Sequence, residues 1–373
     1  MLSGVSEVAR GSRRKRWTFA FVVAFCLALA PSAGAGVSIG PSSTAPTIAY
    51  VTQTESEQPV VWTIHSDGTQ NTRIGPGFTP QISPSAGQIA ASLFGANPTQ
   101  SEVGPALAIY STIGAATQTY FNLASETVEP LAWSRDGRYV AVDIQSTKLK
   151  NAAKLSGLGI VDITTGATKV IARGQIFGAS FSPNGNDELV YGRSAKQTLT
   201  APVNVFRSNA DGSGTVALTR DGRSLFPLWG AKAIAFDRER LRREDAPIYQ
   251  IWLRAPNGKI RRLTNIRVRS LVSGLTPFAF SADGSKLLAQ FVGQDTNEAW
   301  TVSIPSGRAR RLIPRSSRLP LQAAGMTSDG STLLVNEGGV DGPASEGRVA
   351  TLPFAGGRST VLVAHGSQAS WNS

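Results

Sequence analysis

Cysteine is almost absent from this sequence, because Cys26 is the only one in 373 residues. It lies in an apolar segment near the N-terminus, and removal of that segment would leave a chain with no thiol and no possible disulfide. Histidine is nearly as scarce, with His65 and His365 alone. Neither has a Cys, an Asp or a second His at the spacing of a metal site. We therefore expect no metal and no other cofactor, and we interpret both as surface or turn histidines.

Motifs of hydrolytic enzymes are also missing. The G-x-S-x-G string Gly36-Val37-Ser38-Ile39-Gly40 has no strand before it and no helix after it, unlike a nucleophile elbow. A sialidase-type S-x-D-x-G box fails because Asp and Gly are adjacent, as in Asp283-Gly284. The sequence thus predicts no catalytic residue. Three carboxylates in predicted loops keep one alternative open, a polysaccharide lyase-like site: Glu126, Glu129 and Asp341.

Only one long hydrophobic run occurs, from Trp17 to Ala30. It is shorter than the roughly 20 apolar residues that a membrane span needs. Four basic residues precede it at 13–16, and Ala33-Gly34-Ala35 follows as a cleavage site. Residues 1–35 are therefore predicted to be a signal peptide, with an uncleaved anchor as the alternative. We expect a periplasmic, cell-wall associated or secreted protein whose residues 36–47 form a flexible lead-in.

Acidic residues are few, and the formal net charge is +12. Residues 220–320 hold 19 Lys and Arg against 8 Asp and Glu, with the excess in segments 237–245, 264–270 and 313–318. These segments predict a basic crescent for an anionic partner, and the alternative is an ordinary solvated surface. Nucleic acid is disfavoured, because aromatic residues do not interleave with the basic ones. The crescent consists of Arg238, Arg240, Arg242, Arg243, Arg267, Arg269, Arg315 and Arg318.

A repeated pattern fills the rest of the chain, and residues 276–313 show it most clearly. Two apolar runs flank the turn Ser281-Ala282-Asp283-Gly284, and Asp-Gly between alternating apolar runs is a strong hairpin signal. Six full copies follow one another with spacings, by subtraction of residue numbers, of 51, 48, 48, 51 and 46. This period is typical of the four-stranded blades of a β-propeller. The anchor residues that align the copies are Ile82, Trp133, Phe181, Trp229, Phe280 and Met326.

The two ends of the repeat region complement each other. Residues 48–74 match the last three strands of a blade, and residues 367–373 match a first strand. Trp371 lies 45 residues beyond Met326, which keeps it on the period. We therefore predict an all-β fold over residues 48–373, a seven-bladed β-propeller whose ring is closed by pairing of the C-terminal strand with the N-terminal strands.

The repeat motif resembles a known family. The pattern [PA]-x-[FW]-S-x-[DN]-G before an apolar strand, with outer strands such as RRLT, is similar to the WD40-like PD40 repeats of TolB. The resemblance implies a propeller fold and does not specify an activity. It also implies differences, since TolB has an N-terminal α/β domain and six blades. This chain has no room for that domain and is predicted to have seven blades.

Strand direction divides the predicted connections between two faces of the propeller. The tight Asp-Gly and Asn-Gly turns fall on one face, and the longer loops fall on the other. The sequence therefore predicts a non-enzymatic protein that binds a protein or an anionic envelope polymer through its loop-rich face. The alternative is a propeller-type carbohydrate-active enzyme with its site at the channel mouth.

Overall fold

The computed structural model of the chain describes residues 46–53, 58–93, 106–114, 116–121, 126–146, 154, 156–196, 201–240, 248–267, 272–293, 297–313, 319–338 and 347–371. The predicted signal peptide (1–35), the string at 36–40 and most of the lead-in lie outside these ranges. Within them, no helix has the length and apolar character of a membrane span.

The described residues form 28 strands, which repeat in groups of four. The first strands are β4 (Phe78–Ile82), β8 (Glu126–Trp133), β12 (Gln175–Phe181), β16 (Ser224–Trp229), β20 (Val272–Phe280), β24 (Leu321–Met326) and β28 (Ser367–Trp371). The second strands are β1 (Thr47–Thr52), β5 (Gln88–Leu93), β9 (Tyr139–Ser146), β13 (Glu188–Ser194), β17 (Ile234–Arg240), β21 (Lys286–Gly293) and β25 (Thr332–Glu337).

The third and fourth strands complete each group. The third strands are β2 (Val60–His65), β6 (Ala106–Ser111), β10 (Gly157–Asp162), β14 (Asn204–Asn209), β18 (Ile248–Arg254), β22 (Asn297–Ser303) and β26 (Arg348–Pro353). The fourth strands are β3 (Thr72–Pro76), β7 (Ala116–Tyr120), β11 (Thr168–Arg173), β15 (Val216–Ala217), β19 (Ile260–Arg262), β23 (Ala309–Arg311) and β27 (Thr360–Val363).

Hydrogen bonding arranges these strands in antiparallel four-stranded groups. Five groups are separate sheets, and β16–β19 and β20–β23 join in one eight-stranded sheet through a single parallel pair, Tyr249 with Gly274. One sheet has the order β28-β1-β2-β3, so the C-terminal strand lies beside the first strand of the chain. In this pairing Ile48 lies opposite Trp371, and Val51 lies opposite Ser367. The fold is therefore all-β, with repeated antiparallel sheets as the sequence predicted.

Every anchor residue ends its first strand, immediately before the turn to the second strand. Most anchors are fully buried; Trp133, for example, is 1% exposed. The core lies between adjacent sheets, and one cluster combines Phe278 and Leu288 with Met326 and Val335 of the next group. Because burial of one such side chain stabilises the fold by about 1.5–3 kcal/mol, the anchors hold neighbouring sheets together.

The Asp-Gly turns are built from their own side chains. The Ser281 hydroxyl donates to Asp283 Oδ1 at 2.6 Å, and the Ser285 backbone N–H donates to the same oxygen at 3.0 Å. Gly284 adopts a φ of 68°, a conformation that favours glycine. These bonds hold the pKa of Asp283 well below its usual range. The carboxylates of these turns therefore serve the fold.

The opposite ends of the sheets form the loop-rich face. Because neighbouring strands run antiparallel, connections from second to third strands and from fourth to first strands all lie on this side. Much of these connections lies outside the described residues, including 94–105, 241–247 and 339–346. The described strand ends on this side position the candidate site.

Candidate functional site

A β-bulge marks the same place in every first strand. In all seven described pairs of first and second strands the register shifts two or three residues before the anchor, towards the loop-rich face. Three of the bulged residues are not glycine and have positive φ angles, namely Thr79 (46°), Phe226 (43°) and Gln368 (51°). Such angles cost free energy in β-branched and aromatic residues, so the surrounding contacts must enforce them.

At several of these bulges, a side chain of the preceding group accepts a hydrogen bond from a backbone N–H of the first strand. Gln290 Oε1 accepts from the Ala323 N–H at 2.8 Å, and Asn336 Oδ1 accepts from the Ala369 N–H at 3.2 Å. Gln368 Oε1 accepts from the Thr79 N–H at 2.7 Å. Gln290 and Asn336 occupy matching positions near the ends of β21 and β25. These bonds hold the first strand of these groups against the preceding group, and they give the loops a rigid support.

Two aspartates occupy that matching position in other groups. Asp143 in β9 and Asp237 in β17 are 6% and 1% exposed. Gln145 Nε2 donates to Asp143 Oδ2 at 2.8 Å, and the Thr276 hydroxyl donates to Asp237 Oδ2 at 2.8 Å. The Oδ1 atom of each has no hydrogen-bond partner among the described residues. Burial raises the pKa of each carboxyl to about 7, so both titrate near neutral pH.

The surroundings of Asp237 form a second polar cluster at the loop-rich end of β17. Glu239 follows on the same face of the strand, and burial raises its pKa. The pKa of Tyr249 is raised by burial and by the charges of Asp237 and Glu239. A Cβ atom on Gly274 would lie 2.1 Å from the Tyr249 carbonyl oxygen, so only glycine allows this approach of β20 to β18. No motif in the sequence points to this cluster.

The predicted loop carboxylates are only partly described. Glu129 in β8 lies opposite Asp143 in the register of β8 and β9, and burial raises its pKa. The backbone of Glu126 begins β8, but its side chain and all of Asp341 lie outside the described residues. Glu337 at the end of β25 is 1% exposed, and neither carboxylate oxygen has a described partner. Nothing in the sequence pattern distinguished Asp143, Asp237 or Glu337 from surface carboxylates.

The predicted basic crescent divides into described and undescribed members. Arg238 forms an ion pair with Asp221 at 2.5 Å and lies 4.5 Å over the Trp252 ring, so its charge is already compensated. Arg267 is exposed after β19. Arg240 ends β17, and its side chain is not described. The remaining members lie outside the described residues: Arg242, Arg243, Arg269, Arg315 and Arg318. The crescent stays a prediction.

The histidines stand apart from each other. His65 ends β2 and is half-buried, whereas His365 is exposed in the bend before β28. Across the described ranges, no group of three or more His, Cys, Asp or Glu side chains is placed to hold a metal ion. The polar side chains near the loop-rich face are therefore buried carboxyl groups and amides that accept hydrogen bonds from the next group of strands.

Comparison with solved structures identifies the architecture. No known family model matches the chain, and no curated protein matches its sequence. The chain is similar to TolB from Acinetobacter baumannii, with 17% identity, a TM-score of 0.50, and coverage of 88% of this chain and 83% of that one. The propeller domain of the trilobed protease from Pyrococcus furiosus gives 11% identity, a TM-score of 0.62, and coverage of 87% and 94%. The chain has a TolB-like β-propeller fold.

Enzymes occur among the similar propellers as well. Oligogalacturonate lyase from Vibrio parahaemolyticus has 14% identity and a TM-score of 0.52, with coverage of 86% of this chain and 85% of that one. At such identities the likeness extends to the fold alone, and many unrelated functions share this TolB-like propeller architecture.

Proposed function

We propose that the TolB-like propeller is a closed ring of seven blades. Two groups share the eight-stranded sheet through one residue pair only, which supports counting them as separate blades. The first strands contact one another in the circular order β28, β4, β8, β12, β16, β20, β24 and back to β28. The blade made of β28, β1, β2 and β3 then completes the ring.

We infer that this ring is a non-enzymatic binding protein that acts outside the cytoplasmic membrane. Its ligand is a protein or an envelope polymer, bound through the loop-rich face. The observation that carries the proposal is the set of inter-blade bonds at the first-strand bulges, because they give the loops a rigid base. Binding residues commonly lie on loops that such a scaffold positions.

Burial argues against acid–base catalysis by the two aspartates. A general acid or base must reach a substrate atom within hydrogen-bond distance. Asp143 and Asp237 are almost fully covered. Their raised pKa values therefore follow from burial.

The test of binding is affinity capture from an envelope fraction with the mature protein as bait. The variant Arg240→Glu/Arg242→Glu/Arg267→Glu reverses three charges of the predicted crescent and should lose most of the captured partner. The variant Arg73→Glu/Lys169→Glu/Lys232→Glu makes the same charge change at exposed positions near the tight turns and should retain it. Equal capture by both variants and the parent protein would contradict a role for the crescent. N-terminal sequencing of the exported protein tests cleavage after residue 35.

A lyase is the second candidate function, favoured by the half-buried Glu129 with its raised pKa and by the similar lyase propellers. Incubation with polygalacturonate should release unsaturated uronates if the candidate is right, and ultraviolet absorbance detects them. Glu129→Gln should then remove the activity without loss of folding. Absence of product with the parent protein would support the binding function.

A further inference from the structure

Two neighbouring blades carry cations at matching positions of their outermost strands. Around β19 and β23 the motif G-[KR]-x-R-R recurs, and the turn before β27 adds one more arginine. All seven side chains are exposed. We call this surface the edge strip, and it consists of Lys259, Arg261, Arg262, Arg308, Arg310, Arg311 and Arg358.

The positive charge of the edge strip is largely uncompensated. Residues 248–267 and 297–313 hold eight Lys and Arg and one acidic residue, Glu298. Glu298 is paired with Arg311 at 2.6 Å. Neither β7 nor β15 carries a charged residue. Among the other outermost strands, β3 carries Arg73 and β11 carries Lys169 and Arg173, so the motif with three cations is specific to β19 and β23.

Arginines connect the strip from blade to blade. Arg261 donates to the Ile304 carbonyl at 3.4 Å, and Arg310 donates to the Phe354 carbonyl at 2.9 Å. Each acceptor lies in the turn between the third and fourth strands of the next blade. A guanidinium has five N–H donors, so each arginine keeps donors for a ligand. The cations thus extend continuously across three blades.

A cleft of about 200 Å³ lies within the strip, between β23 and the turn of the next blade. Arg310, Arg311 and Ile313 line one wall, and Gly356 and Gly357 line the other. A Cβ atom on Gly356 would lie 3.3 Å from an Arg310 guanidinium nitrogen, whereas one on Gly357 would have no neighbour within 4 Å. The cleft therefore has room for a small anionic group beside the guanidinium of Arg310, whereas the guanidinium of Arg311 is already paired with Glu298.

We propose that the edge strip binds an acidic polysaccharide, with one carboxylate in the cleft and others at Arg262, Arg308 and Arg358. Strand addition by an acidic peptide needs a long free edge, but β19 and β23 have three residues each. Insertion into a membrane needs an apolar patch, and the exposed large apolar side chains described near the strip are only Ile313 and Val361. A hydrated polyanion needs neither feature.

This inference adds a second binding surface to the proposed function, and it rests on that function only for the location of the protein outside the cytoplasmic membrane. The contact lies on the outer edges of the blades, whereas the proposed function places binding on the loop-rich face. An experiment can therefore show loss of binding at one surface while binding at the other is unchanged.

The test is titration of the mature protein with polygalacturonate at low and moderate salt. The parent protein should bind, and Arg262→Glu/Arg308→Glu/Arg358→Glu should raise Kd by about tenfold or more and weaken its salt dependence. These three side chains make no hydrogen bond or ion pair that the described residues show, so thermal unfolding should be unchanged. The matched variant with lysine at the same positions should keep most of the binding.

Control ligands distinguish an acidic polysaccharide from the other possible partners of the edge strip. Polyglutamate that binds as tightly as polygalacturonate, or binding to anionic lipid vesicles alone, would overturn the assignment to a polysaccharide. So would a charge-reversed variant that binds polygalacturonate unchanged but self-associates in size-exclusion chromatography, since the cations would then only keep blade edges apart. Loss of polygalacturonate binding with unchanged envelope capture would support the edge strip independently of the loop-rich face.

Discussion

Individual blades differ in the side chain at one buried position of the second strand, which is a carboxyl group in two blades and an amide in two others. In the matching position of the second strands, Gln290 and Asn336 satisfy a backbone N–H of the next blade. Asp143 and Asp237 occupy the same position and leave one oxygen without a described partner. An amide stays neutral there at every pH, whereas a carboxyl group ionises inside the protein once the pH exceeds its raised pKa. The choice between amide and acid therefore makes two blades sensitive to pH.

Stability should fall as the pH rises from about 5 to 8. Both aspartates have folded-state pKa values near 7, above the ordinary value of 3.8, so the folded protein binds more protons than the unfolded chain in this window. Their contribution is fully present below about pH 4 and is lost by the time the pH exceeds 7. Asp143→Asn/Asp237→Asn should raise Tm at pH 8 by about 3–8 °C and by less at pH 5. Calorimetry at both pH values measures the difference.

Asp67→Asn is the matched control, because Asp67 is an exposed turn residue whose pKa is lowered by bonds from Thr69. It should give no gain in Tm at pH 8. A parent protein whose Tm is flat or rising from pH 5 to pH 8 would show that the two buried carboxyls do not govern this window.

At the scale of elements, the recurring unit is the bulged first strand together with the polar side chain that holds it. Gln290→Leu removes the acceptor of the Ala323 N–H and leaves that group buried without a partner. The free energy of unfolding should fall by about 1–3 kcal/mol. Urea denaturation should show a lower midpoint with an unchanged slope.

Gln322→Leu provides the comparison for this variant. Gln322 is the second residue of β24, the strand that contains Ala323; it is half-buried and has no hydrogen bond that the described residues show. Its replacement should change the unfolding free energy little. Equal losses for the two variants would mean that glutamine at position 290 acts through packing rather than through its bond to Ala323.

The strands were predictable from sequence because turns and apolar alternation act locally. Asp-Gly turns and the anchors Trp133 and Phe280 located the hairpins, and the structure places these anchors at strand ends. The bulges were not predictable, since no residue type is shared by Thr79, Phe226 and Gln368. Asp237 is bonded to Thr276 of the next blade, 39 residues away in the chain, and a local pattern does not encode such a contact. Most of the predicted arginine crescent falls outside the described residues.

At the scale of the whole molecule, the blade shared by the two ends of the chain is the critical one. Trp371 in β28 is 2% exposed and packs in a cluster with Tyr50 and Leu334. A chain that ends at Gly366 lacks β28 and leaves the edge of β1 unpaired. We expect it to lose at least about 10 °C in Tm, to unfold with lower cooperativity, and to aggregate.

A chain that ends at Trp371 is the control and should match the full-length protein in Tm and solubility. Circular dichroism and light scattering during heating measure both properties. Unchanged cooperativity of the shorter truncation would contradict a closed ring.

The pairing of Ile48 with Trp371 also has a consequence for the timing of folding. A ribosome or export channel delivers residue 48 long before residue 371, so the first three strands must wait for nearly the entire chain. During this interval the edge of β1 has no hydrogen-bonded neighbour, and its apolar residues favour pairing with strands of other chains. The completed blade forms last, in a step whose rate reflects closure of a loop of about 320 residues. A protein built in this way gains most from factors that delay its aggregation until synthesis ends.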